Sequence, residues 1–250
     1  MDLTKDNINI LIKKIAIPAS IGTFFQTMYN LVDSKFAGLI SPEALTAIVK
    51  SFPIYLIIIA ASVGLSAGTT ALISNTLGQK NKKRASLIFG QSITVALLFA
   101  IVITSIGLIF MEEILIILKS STKIINYAMD YMKVIFLGSF IMLLLVTINA
   151  SLVARGDTKS YRNVLIISFF LNIFLNPLFI YGLFFIPAMG ISGIALATII
   201  SEMIGLIYII YKINKTEVRK YISAQCFIPN KALIIDILKQ AIPSGLSMGM

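Results

Sequence analysis

The sequence predicts an all-α polytopic membrane protein: a six-helix transmembrane bundle followed by the start of a seventh helix. Three observations predict it. Hydrophobic residues make up 58% of the 250 positions and charged residues only 13%, too apolar for an ordinary soluble domain. The apolar residues fall in runs long enough to cross a hydrocarbon core about 30 Å thick, which takes roughly 20 residues of helix. The net charge of +10 is concentrated between those runs, where basic residues orient membrane helices, so it does not point to nucleic acid.

The runs define the helices in order. Between Lys14 and Asp33 lie 18 uncharged residues, between Lys50 and Lys80 29, between Arg84 and Glu112 27, and between Lys133 and Arg155 21. Each predicts one helix. The stretch from Asn163 to Ser201 holds 39 uncharged residues and would be about 58 Å long as one helix, so it has to break. Tyr181-Gly182 and Ile186-Pro187-Ala188-Met189-Gly190 supply the turn residues. The sixth helix then carries Glu202 and ends near Tyr211. The segment bearing Glu112, Glu113, Lys119 and Lys123 predicts a short amphipathic helix lying at the outer interface.

A cytoplasmic N-terminus places 16 of the 21 basic residues inside and leaves Lys35, Lys50, Lys119, Lys123 and Lys133 outside. The expected location is the cell (plasma) membrane, multi-pass. Met1-Asp2-Leu3-Thr4 lacks the basic start and cleavage site of a signal peptide, so the first apolar segment is expected to stay. Asn214-Lys215-Thr216 matches a glycosylation acceptor but falls on the cytoplasmic side, and is read as chance. There is no histidine and one cysteine, Cys226, which excludes a disulfide within the chain, histidine catalysis and a Cys/His metal site. Phosphate-binding glycine loops and nucleophile–base pairs are also missing from the sequence, so neither an enzyme nor a cofactor is expected.

Ile12-Lys13-Lys14-Ile15-Ala16-Ile17-Pro18-Ala19-Ser20 recurs as Ile237-Leu238-Lys239-Gln240-Ala241-Ile242-Pro243-Ser244-Gly245, at a constant offset of 225. Ile, Lys, Ala, Ile and Pro repeat in register, each time where the chain enters the membrane from the cytoplasm. Six intervening helices return the chain to the same face, giving a parallel six-helix repeat of the kind transporters use. The expected organisation is a lobe over residues 1–211, a cytoplasmic linker over 212–236 and the start of a second repeat over 237–250. The chain stops inside that copy, as a truncated product or a piece of a longer one.

Five ordered blocks resemble the N-terminal lobe of the multidrug and toxic compound extrusion (MATE) family. They are Pro18, Gly22 and Asn30-Leu31-Val32-Asp33 before Ala37-Gly38; Glu43-Ala44-Leu45-Thr46-Ala47 through Phe52-Pro53-Ile54; Ala154-Arg155-Gly156-Asp157-Thr158-Lys159; Asn172-Ile173-Phe174-Leu175-Asn176-Pro177-Leu178-Phe179-Ile180-Tyr181-Gly182; and Gly190-Ile191-Ser192-Gly193-Ile194-Ala195-Leu196-Ala197-Thr198. The resemblance implies the first lobe of a two-lobe, twelve-helix antiporter. Sodium or protons would enter as hydrophobic, often cationic, compounds leave: multidrug efflux. The implied partners are small organic substrates, the lipid bilayer, and a C-terminal lobe or second copy.

Candidate coupling residues follow. An ionised aspartate within a membrane helix costs about 2.5 to 3.5 kcal/mol on insertion scales and marks a functional site when buried. Asp33 is that residue, unless it lies at the outer helix end beside water and Lys35. It stands 15 residues after Pro18, which resembles the family's acid-plus-proline arrangement, with Pro18 as the point of bending. Asn172 and Asn176 are four apart and share a helix face, able to bind sodium with Asp33 or to support it. Position 176 departs from the aspartate of sodium- or proton-binding members, and an asparagine does not titrate. Glu202 lies one turn after Thr198 and is either a second proton carrier or a packing bond. Gln26 and Tyr29 are candidates for the substrate cavity. Ala60, Ala61, Gly64, Ala67, Gly68 and Ala71 form a small-residue stripe for close helix approach, within the lobe or between copies. A lipid-linked saccharide flippase of the same superfamily is the alternative, disfavoured because Lys35 is the one basic residue near a span. A half-transporter, inactive or dimerising, is the other.

Overall fold

The computed structural model describes residues 12–182 and 185–247. A π-helical turn, Ile12–Ala16, leads into seven α-helices: α1 (Ile17–Ile40), α2 (Pro42–Gly78), α3 (Lys82–Ile117), α4 (Thr122–Val153), α5 (Lys159–Tyr181), α6 (Ile191–Asn214) and α7 (Lys231–Leu246). No strand occurs among the described residues.

Local chemistry sets the boundaries. Ser41 caps α2 by accepting from the Ala44 N–H at 3.0 Å, with Pro42 in the first helical turn, where its missing N–H costs nothing. Asn81 caps α3 and Asn230 caps α7 in the same way. Gly182 (φ 70°) ends α5 and Gly190 (φ 55°) precedes α6, both left-handed positions that glycine occupies without strain. Between them the chain folds back, and the Met189 N–H reaches Phe179 O at 2.9 Å. This is the break the sequence calls for.

Helices α2 to α6 are each long and apolar enough to cross a membrane. Helix α1, at 24 residues, falls short of the same standard because Thr23, Gln26, Thr27, Asn30, Asp33, Ser34 and Lys35 lower its apolarity. It is nonetheless packed lengthwise on α5 and against α2. Phe25 of α1 meets Phe169 of α5 edge-on at 5.4 Å. Helix α4 is the most buried span and forms the centre, touching α2, α3 and α6. The core runs from Ile54, Ile58, Met132, Phe136 and Ile194 to a second cluster at Ile73, Phe89, Leu152 and Ile209.

One expectation is corrected. No separate amphipathic helix follows α3. Glu112 and Glu113 continue α3, Lys119 forms the turn at φ 50°, and Lys123 opens α4. No glycine or proline interrupts residues 108–118, so the helix runs on past its apolar stretch. Its last carbonyls are capped by the Lys50 ammonium, 3.0 Å from Leu118 O and 3.2 Å from Lys119 O. Helix α6 continues to Asn214 and α7 starts at Lys231, with the connection between them.

That connection is docked rather than loose. The Gln91 amide of α3 donates to Cys226 O (2.8 Å) and Ile228 O (2.7 Å) and accepts from the Asn230 N–H (2.8 Å). Helix α7 then lies along α2, on the small-residue stripe. A Cβ on Gly64 would stand 2.4 Å from Ala241 O, and one on Gly68 3.1 Å from Ile237 O. The stripe therefore seats α7, the helix that carries the recurring segment 237–245.

Candidate functional site

Three helices converge on one carboxylate because each carries polar residues on a single face. On α1 the buried positions Gly22, Tyr29, Asp33 and Ala37 recur at intervals of seven and four residues, one helix face. On α5 they are Ser168, Asn172 and Asn176, and on α6 Ile194, Thr198, Ser201 and Gly205. Where the faces meet, Asp33 is 6% exposed, Thr198 4%, and Asn172 and Asn176 are fully buried.

Asp33 Oδ1 accepts from Asn172 Nδ2 at 2.9 Å and from Asn176 Nδ2 at 3.0 Å. Asp33 Oδ2 accepts from the Thr198 hydroxyl at 3.0 Å. Asn176 Nδ2 also donates to Asn172 Oδ1 at 2.9 Å, tying the two amides together. The arrangement gives one carboxylate three neutral donors and no cation partner among the described residues. Lys35, two positions on, lies on the other side of α1 and is exposed, so Asp33 is not the water-facing helix end that its sequence position allows.

Two features of the cluster bear on what it can do. Thr198 has one hydroxyl proton but two acceptors in reach, Asp33 Oδ2 and its own helix's Ile194 O at 3.1 Å. Asn176 Oδ1 is buried and accepts no hydrogen bond. With the carboxylate, Asn172 Oδ1 and the Thr198 hydroxyl, it makes a set of oxygens alone, the donor chemistry of a hard monovalent cation rather than a soft metal.

A cavity of about 320 Å³ reaches Asp33, lined by Asn30, Ser51, Phe52, Tyr55 and Tyr131 among others. A second, of about 300 Å³, is lined by Gln26, Tyr29, Tyr55, Tyr161, Ser168 and Glu202. Asn30, Tyr55 and Ile59 line both, so the two cavities are adjoining. Gln26 and Tyr29 thus lie where a cavity role needs them. Glu202 does not join the Asp33 hydrogen bonds; it faces the second cavity. Tyr55, Tyr131 and Tyr161 escaped sequence reasoning, since tyrosines in apolar helices carry no periodic signal that separates lining from packing.

Pro18 stands in the first turn of α1, where proline is accommodated without a kink. The helix is continuous with the π-helical turn before it, because Ala16 is itself helical (φ −68°, ψ −46°). The Thr158 hydroxyl sits 3.3 Å from Ile15 O and 3.5 Å from Lys14 O, the carbonyl four residues before the proline that no N–H of Pro18 reaches.

A bundle of long apolar helices with a buried acid at one of two adjoining cavities is an arrangement that suits a membrane transporter. The MatE family model matches residues 18–178, and the chain belongs to that family. It is 27% identical to the probable multidrug resistance protein YoeA of Bacillus subtilis over 93% of this chain and 51% of that protein. It is 30% identical to the probable multidrug resistance protein NorM of Thermotoga maritima over 83% of this chain and 45% of that protein. The outward-facing conformation of a multidrug resistance MATE family transporter of the MOP superfamily superposes with a TM-score of 0.83 at 30% identity, covering 95% of this chain and 52% of that one. The chain therefore spans about half the length of the relatives it matches.

Proposed function

We propose that this chain is the first lobe of a cation-coupled antiporter in the cell membrane, N-terminus in the cytoplasm, exporting hydrophobic or cationic organic compounds. One observation carries the reading: a buried carboxylate, Asp33, held by donors from two other helices inside an apolar bundle. Ions in such surroundings are expensive and are retained where a pathway uses them.

The geometry supports an exchange at Asp33. As an anion, Asp33 accepts from all three neighbours and holds the outer half of α1 to α5 and α6. A proton placed on Oδ2 turns that oxygen from acceptor to donor. Thr198 then gives its proton to Ile194 O alone, and its bond to Asp33 reverses, the carboxyl donating to the hydroxyl oxygen, which changes how α1 is held to α6. Sodium acts on the same bonds differently, drawing Asn176 Oδ1, Asn172 Oδ1 and the carboxylate oxygens inward and turning the amide N–H groups away. In both cases the change is transmitted along α1 to Pro18. Asn172, Asn176 and Thr198 are the residues that make Asp33 responsive.

The cavity linings speak against a phosphate-bearing saccharide lipid, because neither contains lysine or arginine among the described residues. The test is ethidium efflux from energised vesicles under separate sodium and pH gradients, with the chain joined to a second lobe, comparing wild type with Asp33→Asn. Gradient-driven efflux abolished in the variant is expected. Efflux that persists unchanged in Asp33→Asn overturns the assignment of Asp33.

A further inference from the structure

The second cavity contains an unanswered charge. Of its lining residues only Glu202 carries a formal charge. Its Oε2 is buried and accepts no hydrogen bond, whereas the Asp33 carboxylate of α1, bonded to Thr198 one turn before Glu202, receives three. A buried carboxylate oxygen without a donor is costly, and one that faces a cavity can be satisfied by what enters it. The cavity is furnished accordingly. Tyr29, Tyr55 and Tyr161 bring aromatic rings, whose faces attract cations, and Gln26 and Asn30 bring neutral amides. The Tyr29 hydroxyl is also buried without a hydrogen-bond partner, a second polar group left open beside the acid. Ile58, Val63, Leu145 and Val164 make the rest of the wall apolar. A volume of about 300 Å³ lies at the lower end of small-molecule sites.

We propose that Glu202 is the substrate counter-charge: a flat organic monocation lodges in this cavity with its positive nitrogen at Glu202 and its rings against the tyrosines. Asp33 is left to the coupling ion. This assignment rests on the exporter reading above and divides the labour of its two acids. It separates charge selection, at Glu202 on α6, from coupling, at Asp33 on α1, although the two cavities share Asn30, Tyr55 and Ile59. It also accounts for Glu202 standing outside the Asp33 hydrogen bonds while being one turn from Thr198.

The test is equilibrium binding to the purified chain in lipid nanodiscs, with two probes of one ring system: ethidium, a permanent cation, and phenanthridine, neutral at pH 7. Glu202→Gln, which keeps size and hydrogen-bonding ability, is expected to weaken ethidium binding about tenfold or more. It should leave phenanthridine binding within about twofold. Glu202→Asp is expected to recover most of the ethidium affinity. Undiminished ethidium binding in Glu202→Gln overturns the proposal. So does an equal loss of both probes, which would make Glu202 a wall residue rather than a charge reader. Phenanthridine binding also reports that each variant is folded. Because the assay needs no gradient, a failure here alongside intact Asp33-dependent efflux removes Glu202 alone, while the reverse pattern removes the coupling assignment.

Discussion

Replacing Asn176 by aspartate tests the central cluster most directly. Its side-chain nitrogen lies 3.0 Å from Asp33 Oδ1, so Asn176→Asp sets two carboxylate oxygens at about that separation. At an effective dielectric constant of about 20, two unit charges 3 Å apart repel by roughly 5 kcal/mol. Rotamer relaxation reduces this, but a few kcal/mol remain, because both side chains are walled in by α1, α5 and α6. The pair must then share a proton or a cation. The assay is thermal unfolding of the purified variant in detergent, in choline chloride at alkaline pH, with sodium chloride or acid then added separately. The expected result is a lowered midpoint in choline that sodium or acid restores, against a much smaller response in wild type. Stabilisation by a bound ion grows as RT ln(1 + [L]/Kd), about 2.7 kcal/mol at a hundredfold excess over Kd. If the variant in choline is as stable as wild type and answers neither addition, the side chains at 33 and 176 are not in contact and the coupling argument fails.

Three further predictions concern the frame around the site. Gly64→Val places a branched side chain where a Cβ already meets Ala241 O at 2.4 Å, and overpacking of this kind costs about 1 to 3 kcal/mol. It should lower the unfolding midpoint and abolish disulfide cross-linking between cysteines introduced on α2 and α7. Gln91→Leu removes three hydrogen bonds to the connection before α7, each worth about 0.5 to 1.5 kcal/mol. Cys226, buried in the native chain, should then react with maleimide several-fold faster, and an unchanged rate would show that Gln91 is not what holds the connection. Lys82 pairs with Glu217 at the exposed start of α3 and holds its carboxyl below the usual glutamate value of 4.5. A depressed carboxyl contributes its stability fully above the unfolded value and loses it as the pH falls through the folded one. Acid below about pH 4 should therefore speed modification of Cys226 in wild type by 4,4′-dithiodipyridine, which stays reactive towards thiols in acid, and Glu217→Gln should flatten that dependence.

The helices were legible because uncharged runs and their lengths follow from the bilayer itself, and the break near Gly182 because glycine and proline punctuate it. Asp33, Asn172, Asn176 and Thr198 were each legible as polar residues on apolar helix faces, and the structure brings all four together. Their bonding was not, since which face of α1 meets which face of α5 depends on packing such as Phe25 on Phe169. The extent of α3 was misjudged because Glu112 and Glu113 read as a membrane edge, while nothing in the local sequence stops the helix there. The cavity tyrosines are invisible to a linear reading for the same reason that Glu202 was ambiguous: a residue's neighbours across the bundle decide whether it packs or opens into space.

The seat of α7 on Gly64 and Gly68 has a practical consequence. The packed solid does not end with α6: α7 fills a furrow in α2 and is strapped to α3 through Gln91. A chain cut after Asn214 would leave that furrow bare, offering two glycine notches to any neighbouring helix. A boundary drawn by counting long apolar spans and one drawn by packing therefore differ by one helix.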